Sequence, residues 1–394
     1  MRASALRLLI LGCVAALAGC GGNDEPPTGP DPDSPTITSV TPDTAFIGDA
    51  VALTGSRFAN VAAANHVTFG SVETTAFGAT DSTLQVLVPP GATSGPLTVT
   101  VGVHSGSSAD TVIVLWTAIQ PVTATPLLYD IVWNGFRFVA VGSGGTILTS
   151  TNGTTWQRAT DPQYESLRAV AANNSGTVAV GNEGAIVFSQ TGSSWASVPS
   201  PTDLSLAAVA AGPNGFVAVP GNGSVVLFSE TGASWTGHDL DSSYTMTEAV
   251  VSDRYYALAD DLYAISSADG SSWTANATNL RLPAPNGAVG TANRALISKP
   301  HALYRLSGKD MWSSATPSEN LMDDFLDVAV APGAYFLAVN AHGVISSLDG
   351  GGNWKMHSQF SEAASGSRVR VACSDSVCVA VGDFHGRVMV WRRQ

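Results

Sequence analysis

The sequence predicts an all-β protein, a β-sandwich followed by a seven-bladed β-propeller whose ring is closed by strands from its N- and C-terminal ends. Three observations predict it. Charged residues make up only 12% of 394 positions while Gly and Pro number 40 and 21, which suits short strands and tight turns. No apolar stripe of helical period runs for a useful length after residue 20. Finally, Trp116, Trp156, Trp195, Trp235, Trp273, Trp312 and Trp354 recur at spacings of 40, 39, 40, 38, 39 and 42 residues, the size of a four-stranded blade.

The first segment is a targeting signal. Arg2 and Arg7 flank the start of a short apolar run, Leu8 to Leu17, that small residues and Cys20 close. A bilayer span takes ~20 apolar residues, so residues 1–19 read as a signal peptide. Leu17-Ala18-Gly19-Cys20 resembles the lipobox of bacterial lipoproteins. That resemblance implies cleavage before Cys20, lipid attachment to it, and anchorage to a cell-envelope membrane. Gly21 in place of an acidic residue points to the outer membrane or cell surface, on its periplasmic or extracellular face. Residues 20–35 are rich in Pro and acidic residues and lack core-forming side chains, so a disordered tether is expected.

Residues 36–115 alternate apolar and polar positions in short pieces, such as Val51/Leu53, Val67/Phe69, Leu84/Val86/Val88 and Leu97/Val99/Val101. Each piece ends at Gly, Pro, Asp or Ser, as half-buried antiparallel strands of a sandwich do. Pro35 to Pro42, the set Gly48, Val51, Leu53, Gly55 and Phe58, then Val67 to Gly70 and Leu84 to Pro89, together resemble the IPT/TIG immunoglobulin-like family. The resemblance implies a spacer or adhesive module.

Residues 116–394 carry the repeats. Each unit holds a short strand (LYDIV, LRAV, LAAV, FLDV, VRVAC), a pair of β-rich runs (FVAVGSGGTILTS is one) and a turn ending in Trp. In the turns, Gly153, Gly192, Gly232 and Gly270 supply the positive φ that a tight turn needs. Asn152, Thr191, Thr231 or Asp269 can bond back to the turn amides, and the indole covers the gap beside the turn. These turns resemble the BNR/Asp-box repeats, with the full form around Asp349, and the resemblance implies a structural role away from any binding face. The blade wording also resembles photosystem II assembly/stability factor-like propellers, which bind protein through a basic patch that this chain lacks. The last unit supplies only three strands, so Trp116 to Gln120 is expected to pair with residues 387–391 as its fourth.

The formal net charge of −13 and only three lysines exclude nucleic acid as a partner. Cys373 and Cys378 flank a turn-like Ser-Asp-Ser and face each other across a hairpin, as a disulfide in a secreted compartment or as two free thiols. Further ligands at metal spacing do not follow them, so no metal site is expected. His301, His342 and His385 fall near the turn between second and third strands of neighbouring blades and mark a possible binding face. Asp130, Glu248 and Asp327 lie on or beside first strands, where some could meet in the central channel. The expected function is a non-catalytic, cofactor-free, monomeric cell-envelope lipoprotein whose propeller binds a protein or glycan. The alternative is a propeller glycoside hydrolase, sialidase-like or built on a carboxylate pair.

Overall fold

The computed structural model describes residues 33–394 apart from residues 90–91, 123–125, 160–164, 260–262, 278–284, 292–293, 300–301, 309–310, 316–323, 332–334, 342, 348–353, 361–367 and 393–394. The expected signal peptide and Cys20 therefore lie outside the described residues, as do His301, His342 and Asp349.

The N-terminal unit is a two-sheet sandwich. One sheet orders Thr36–Thr41, Ala50–Ser56, Thr83–Leu87 and Gly78–Ala79; the other pairs Asn65–Phe69 with Val72–Thr75 and Gly95–Val101, and Gly95–Val101 with His104–Ile119. Strict alternation decides which side chains enter: Val51, Leu53, Leu84 and Val86 are fully buried against Val67, Phe69, Leu97 and Val99, while Ala50, Ala52, Gln85 and Leu87 face outward. His66 Nδ1 lies 2.8 Å from Glu73 Oε1 across an exposed strand pair.

Seven four-stranded antiparallel sheets follow, with inner strands Leu128–Trp133, Leu167–Asn173, Leu206–Gly212, Met246–Val251, Gly287–Thr291, Asp327–Ala331 and Val369–Cys373. We number the blades 1 to 7 in that order. Second strands are packed between neighbouring blades on both faces, so those of blades 1 and 7 read as apolar runs, and Phe138–Gly142 and Val377–Gly382 are buried throughout. Phe384 is fully buried and meets Phe360 edge-on at 5.1 Å, because the turn folds it back onto the blade 6–7 core.

Closure follows the expected route. Thr117, Ala118 and Ile119 pair antiparallel with Val390, Met389 and Val388, giving blade 7 its fourth strand. The same strand, His104–Ile119, begins as a sandwich strand, and its Leu115 and Trp116 run parallel to Gln359 and Phe360 at the outer edge of blade 6. Ile47 of the sandwich packs against both the sandwich core and the core between blades 6 and 7.

The turn before the outer strand has a repeated geometry in blades 1 to 4. In blade 1 the Gly153 amide donates to Ser150 Oγ (2.9 Å), the Thr154 and Thr155 amides donate to Asn152 Oδ1 (2.9 and 2.8 Å), and Trp156 Nε1 donates to Gly153 O (2.7 Å). Trp195, Trp235 and Trp273 make the same indole bond to Gly192, Gly232 and Gly270. Gly153 has φ +75°, and a Cβ there would meet Val377 and Val379 of blade 7, so glycine serves both the turn and the fit between blades. Trp354 instead donates to Ala315 O of blade 5 at 2.6 Å, and Trp312 is buried within the outer strand of blade 5.

Candidate functional site

The inner strands surround a channel, and one register position in each defines a ring around it. Asp130, Ala169, Ala208, Glu248, Gly287, Asp327 and Arg370 stand opposite Val141, Val180, Val219, Leu258, Ser298, Val339 and Val381 of their second strands. In blades 1 to 4 a register shift just before this position turns the strand at the ring. A cavity of about 260 Å³ runs along the channel, with Asp130, Glu248, Asp327 and Arg370 at one end and Trp133, Val251 and Cys373 at the other.

Each charged group has a defined partner. Asp130 Oδ1 accepts the Ile131 amide at 2.8 Å and its Oδ2 accepts the Val170 amide of blade 2 at 2.7 Å. Asp327, 6% exposed, repeats this one blade pair further round, accepting the Val371 amide of blade 7 at 2.8 Å. An inner strand has no neighbour on its channel side, so these carboxylates bond amides that no ladder reaches. Arg370 extends from blade 7 to blade 4, placing Nη2 3.6 Å from Glu248 Oε2, while its Nη1 donates to Leu326 O and Val369 O at 3.2 Å.

Burial dominates the electrostatics. Loss of water pushes the carboxyl of Asp130 up to about 6, Asp327 up to about 7 and Glu248 up to about 8, and the nearby Arg370 charge only partly reverses this. Burial also works against the Arg370 charge, but Asp327, Glu248 and Asp130 outweigh it and hold its pKa above the usual value. Three acids thus share one guanidinium at the channel wall.

The structure brings together the three carboxylates that the sequence placed near the axis, and adds Arg370, which the sequence did not single out. Its signal was register: Asp130, Ala169, Ala208 and Arg370 each stand 11 residues before the paired valine of the second strand. His385 sits exposed in its turn with φ +55°, in the left-handed region that Glu183 occupies in blade 2. Cys373 and Cys378 form a disulfide across the first hairpin of blade 7, beside the cavity. Groups of three or more His, Cys, Asp or Glu placed to hold a metal ion do not occur among the described residues. No helix among them is long and apolar enough to cross a membrane.

Comparison with known proteins agrees with the architecture. Residues 35–113 match the IPT/TIG domain model. No curated protein matches the chain by sequence. Among solved structures it is similar to a streptogramin B lyase, at 8% identity and a TM-score of 0.60 over 70% of this chain and 96% of that one. It is similar to YCF48 bound to a D1 peptide, at 17% identity and 0.52 over 70% and 96%. The WD40 domain of Neurospora crassa Pan2 is similar at 11% identity and 0.54 over 68% and 89%. At these identities the likeness is one of fold: the chain is an IPT/TIG immunoglobulin-like domain joined to a β-propeller.

Proposed function

We propose that the chain is a non-catalytic cell-envelope lipoprotein, anchored through Cys20, whose propeller is a binding or scaffold module for a protein or glycan. The observation that carries this reading is the engagement of the channel chemistry in holding the ring together. Asp130 and Asp327 bond amides of the next blade, and Glu248 is paired with Arg370. The cavity of about 260 Å³ lies at or below the ~300 to 1,000 Å³ of ordinary ligand pockets and is small for a polysaccharide. Recognition is therefore left to the loop faces, where His385 is exposed. A propeller of similar fold has been solved with a peptide bound, so peptide ligands are within the architecture's reach.

One observation favours the glycoside hydrolase alternative. Glu248, held near pH 8 by burial beside two further carboxyls, has the protonation expected of a general acid. Incubation with a polysaccharide panel, followed by reducing-end release, separates the two readings. Binding without turnover supports the module; hydrolysis that Glu248→Gln abolishes overturns it.

A further inference from the structure

The charged ring does more than line the channel. Its four ionisable members come from blades 1, 4, 6 and 7, and blade 7 is the one assembled from distant parts of the chain. Arg370 reaches out of that blade to Glu248 on blade 4. Its Nη1 bonds Leu326 O beside blade 6, whose Asp327 in turn holds the Val371 amide of blade 7. The inner edge of blade 7 is thereby tied to the ring by groups that all titrate or depend on groups that do. We infer that this cluster is a pH-sensitive latch: three acids gathered on one guanidinium hold the seventh blade on the ring while the cluster is near neutrality, and alkalinisation loosens it.

The charges facing Glu248 are Arg370, Asp130 and Asp327. The inner strands of the two neighbouring blades contribute Ala208 and Gly287 at this level, which carry no charge. With all carboxyls protonated the cluster holds one positive charge. One ionised acid neutralises it, and two more leave uncompensated negative charge in a site with little water. Glu248 rises from 4.5 to about 8 on folding, chiefly through burial. Its contribution to stability is thus complete below pH 4.5, and is lost as pH rises through about 8. Asp327 and Asp130 follow the same sign to about 7 and about 6.

The test is hydrogen exchange on the full chain at about pH 5.5 and about pH 8.5, corrected for intrinsic exchange rates, a span that brackets the three carboxyls. The readout is the seam between residues 117–119 and 388–390. Seam protection is expected to fall ~10-fold or more on alkalinisation, the factor that one pKa unit of linkage supplies. Glu248→Gln should flatten that profile, while Asp375→Asn, an exposed change of the same charge on the same blade, should not. Where Glu248→Gln perturbs the fold, Asp327→Asn reads the same linkage over a lower pH range. Seam protection independent of pH in the wild-type chain, or equal flattening by Asp375→Asn, overturns the latch.

Discussion

Thr117 and Val390 stand at opposite ends of the repeat region and pair within one sheet. The ring therefore has no open edge at the point where its chain begins and ends, which removes a template for association with other molecules. Ala118→Pro inserts a residue without an amide into that pairing. A loss of ~2 to 3 kcal/mol in stability is expected, with protease cleavage near residue 118, by analogy with proline placed inside other regular elements. Denaturant unfolding checks it, and an unchanged midpoint would mean that the strand does not close the ring.

Asp130 bonds amides of two blades at once. Asp130→Ala leaves both without their acceptor and is expected to cost ~1 to 3 kcal/mol, with Asp130→Asn retaining part of the loss because one oxygen remains. Equilibrium unfolding of the two variants side by side gives the ranking. Equal, negligible effects would show that water replaces the carboxylate freely.

At the outer turns, Gly270 has φ +80° and the Cβ of any other residue would meet the Phe228 ring of blade 3. Gly270→Ala is expected to lower stability by more than the ~1 to 2 kcal/mol of left-handed backbone alone, since the ring must also move. Trp156→Phe keeps the apolar bulk but loses the indole bond to Gly153 O, and should cost ~1 kcal/mol. Calorimetry on both variants distinguishes the turn's conformational demand from its hydrogen bond.

Asp269 lies in the same kind of turn, and the Ser271 and Ser272 amides hold its carboxyl down at about 2. Because its folded pKa lies below the unfolded 3.8, its contribution is present above that value and lost as pH falls through about 2. A carboxyl-detected NMR titration should place its midpoint below those of exposed aspartates in loops. A midpoint near 3.8 would show that the turn bonds are not kept in solution.

The disulfide between Cys373 and Cys378 closes a short hairpin. Replacing both with Ser should cost ~2 kcal/mol in the chain-entropy view, a modest amount because so short a loop has little freedom to lose. Reductant-dependent melting is the corresponding measurement on the unaltered chain, and an identical melt with and without reductant would count against a staple.

Much of the fold was legible because blade architecture repeats its wording. Tryptophan spacing gave the blade size, and the missing strand of the last unit pointed to Trp116 to Gln120. The site was only partly legible. Asp130 and Asp327 sit in recognisable first-strand segments, but their reach to Val170 and Val371 depends on how neighbouring blades are set in space. Arg370 was harder, since a charge of opposite sign breaks the pattern of residue type while keeping the pattern of position. The burial of Phe384 was not legible either, since only the path of its turn directs it inward.

Synthesis from the N-terminus gives the long strand His104–Ile119 an unusual history. Its first half can join the sandwich at once, but the partner of its last residues, Val388–Arg392, leaves the ribosome only after the first six blades have been made. That late segment must therefore find a strand already anchored elsewhere, and completion of the toroid waits for its synthesis.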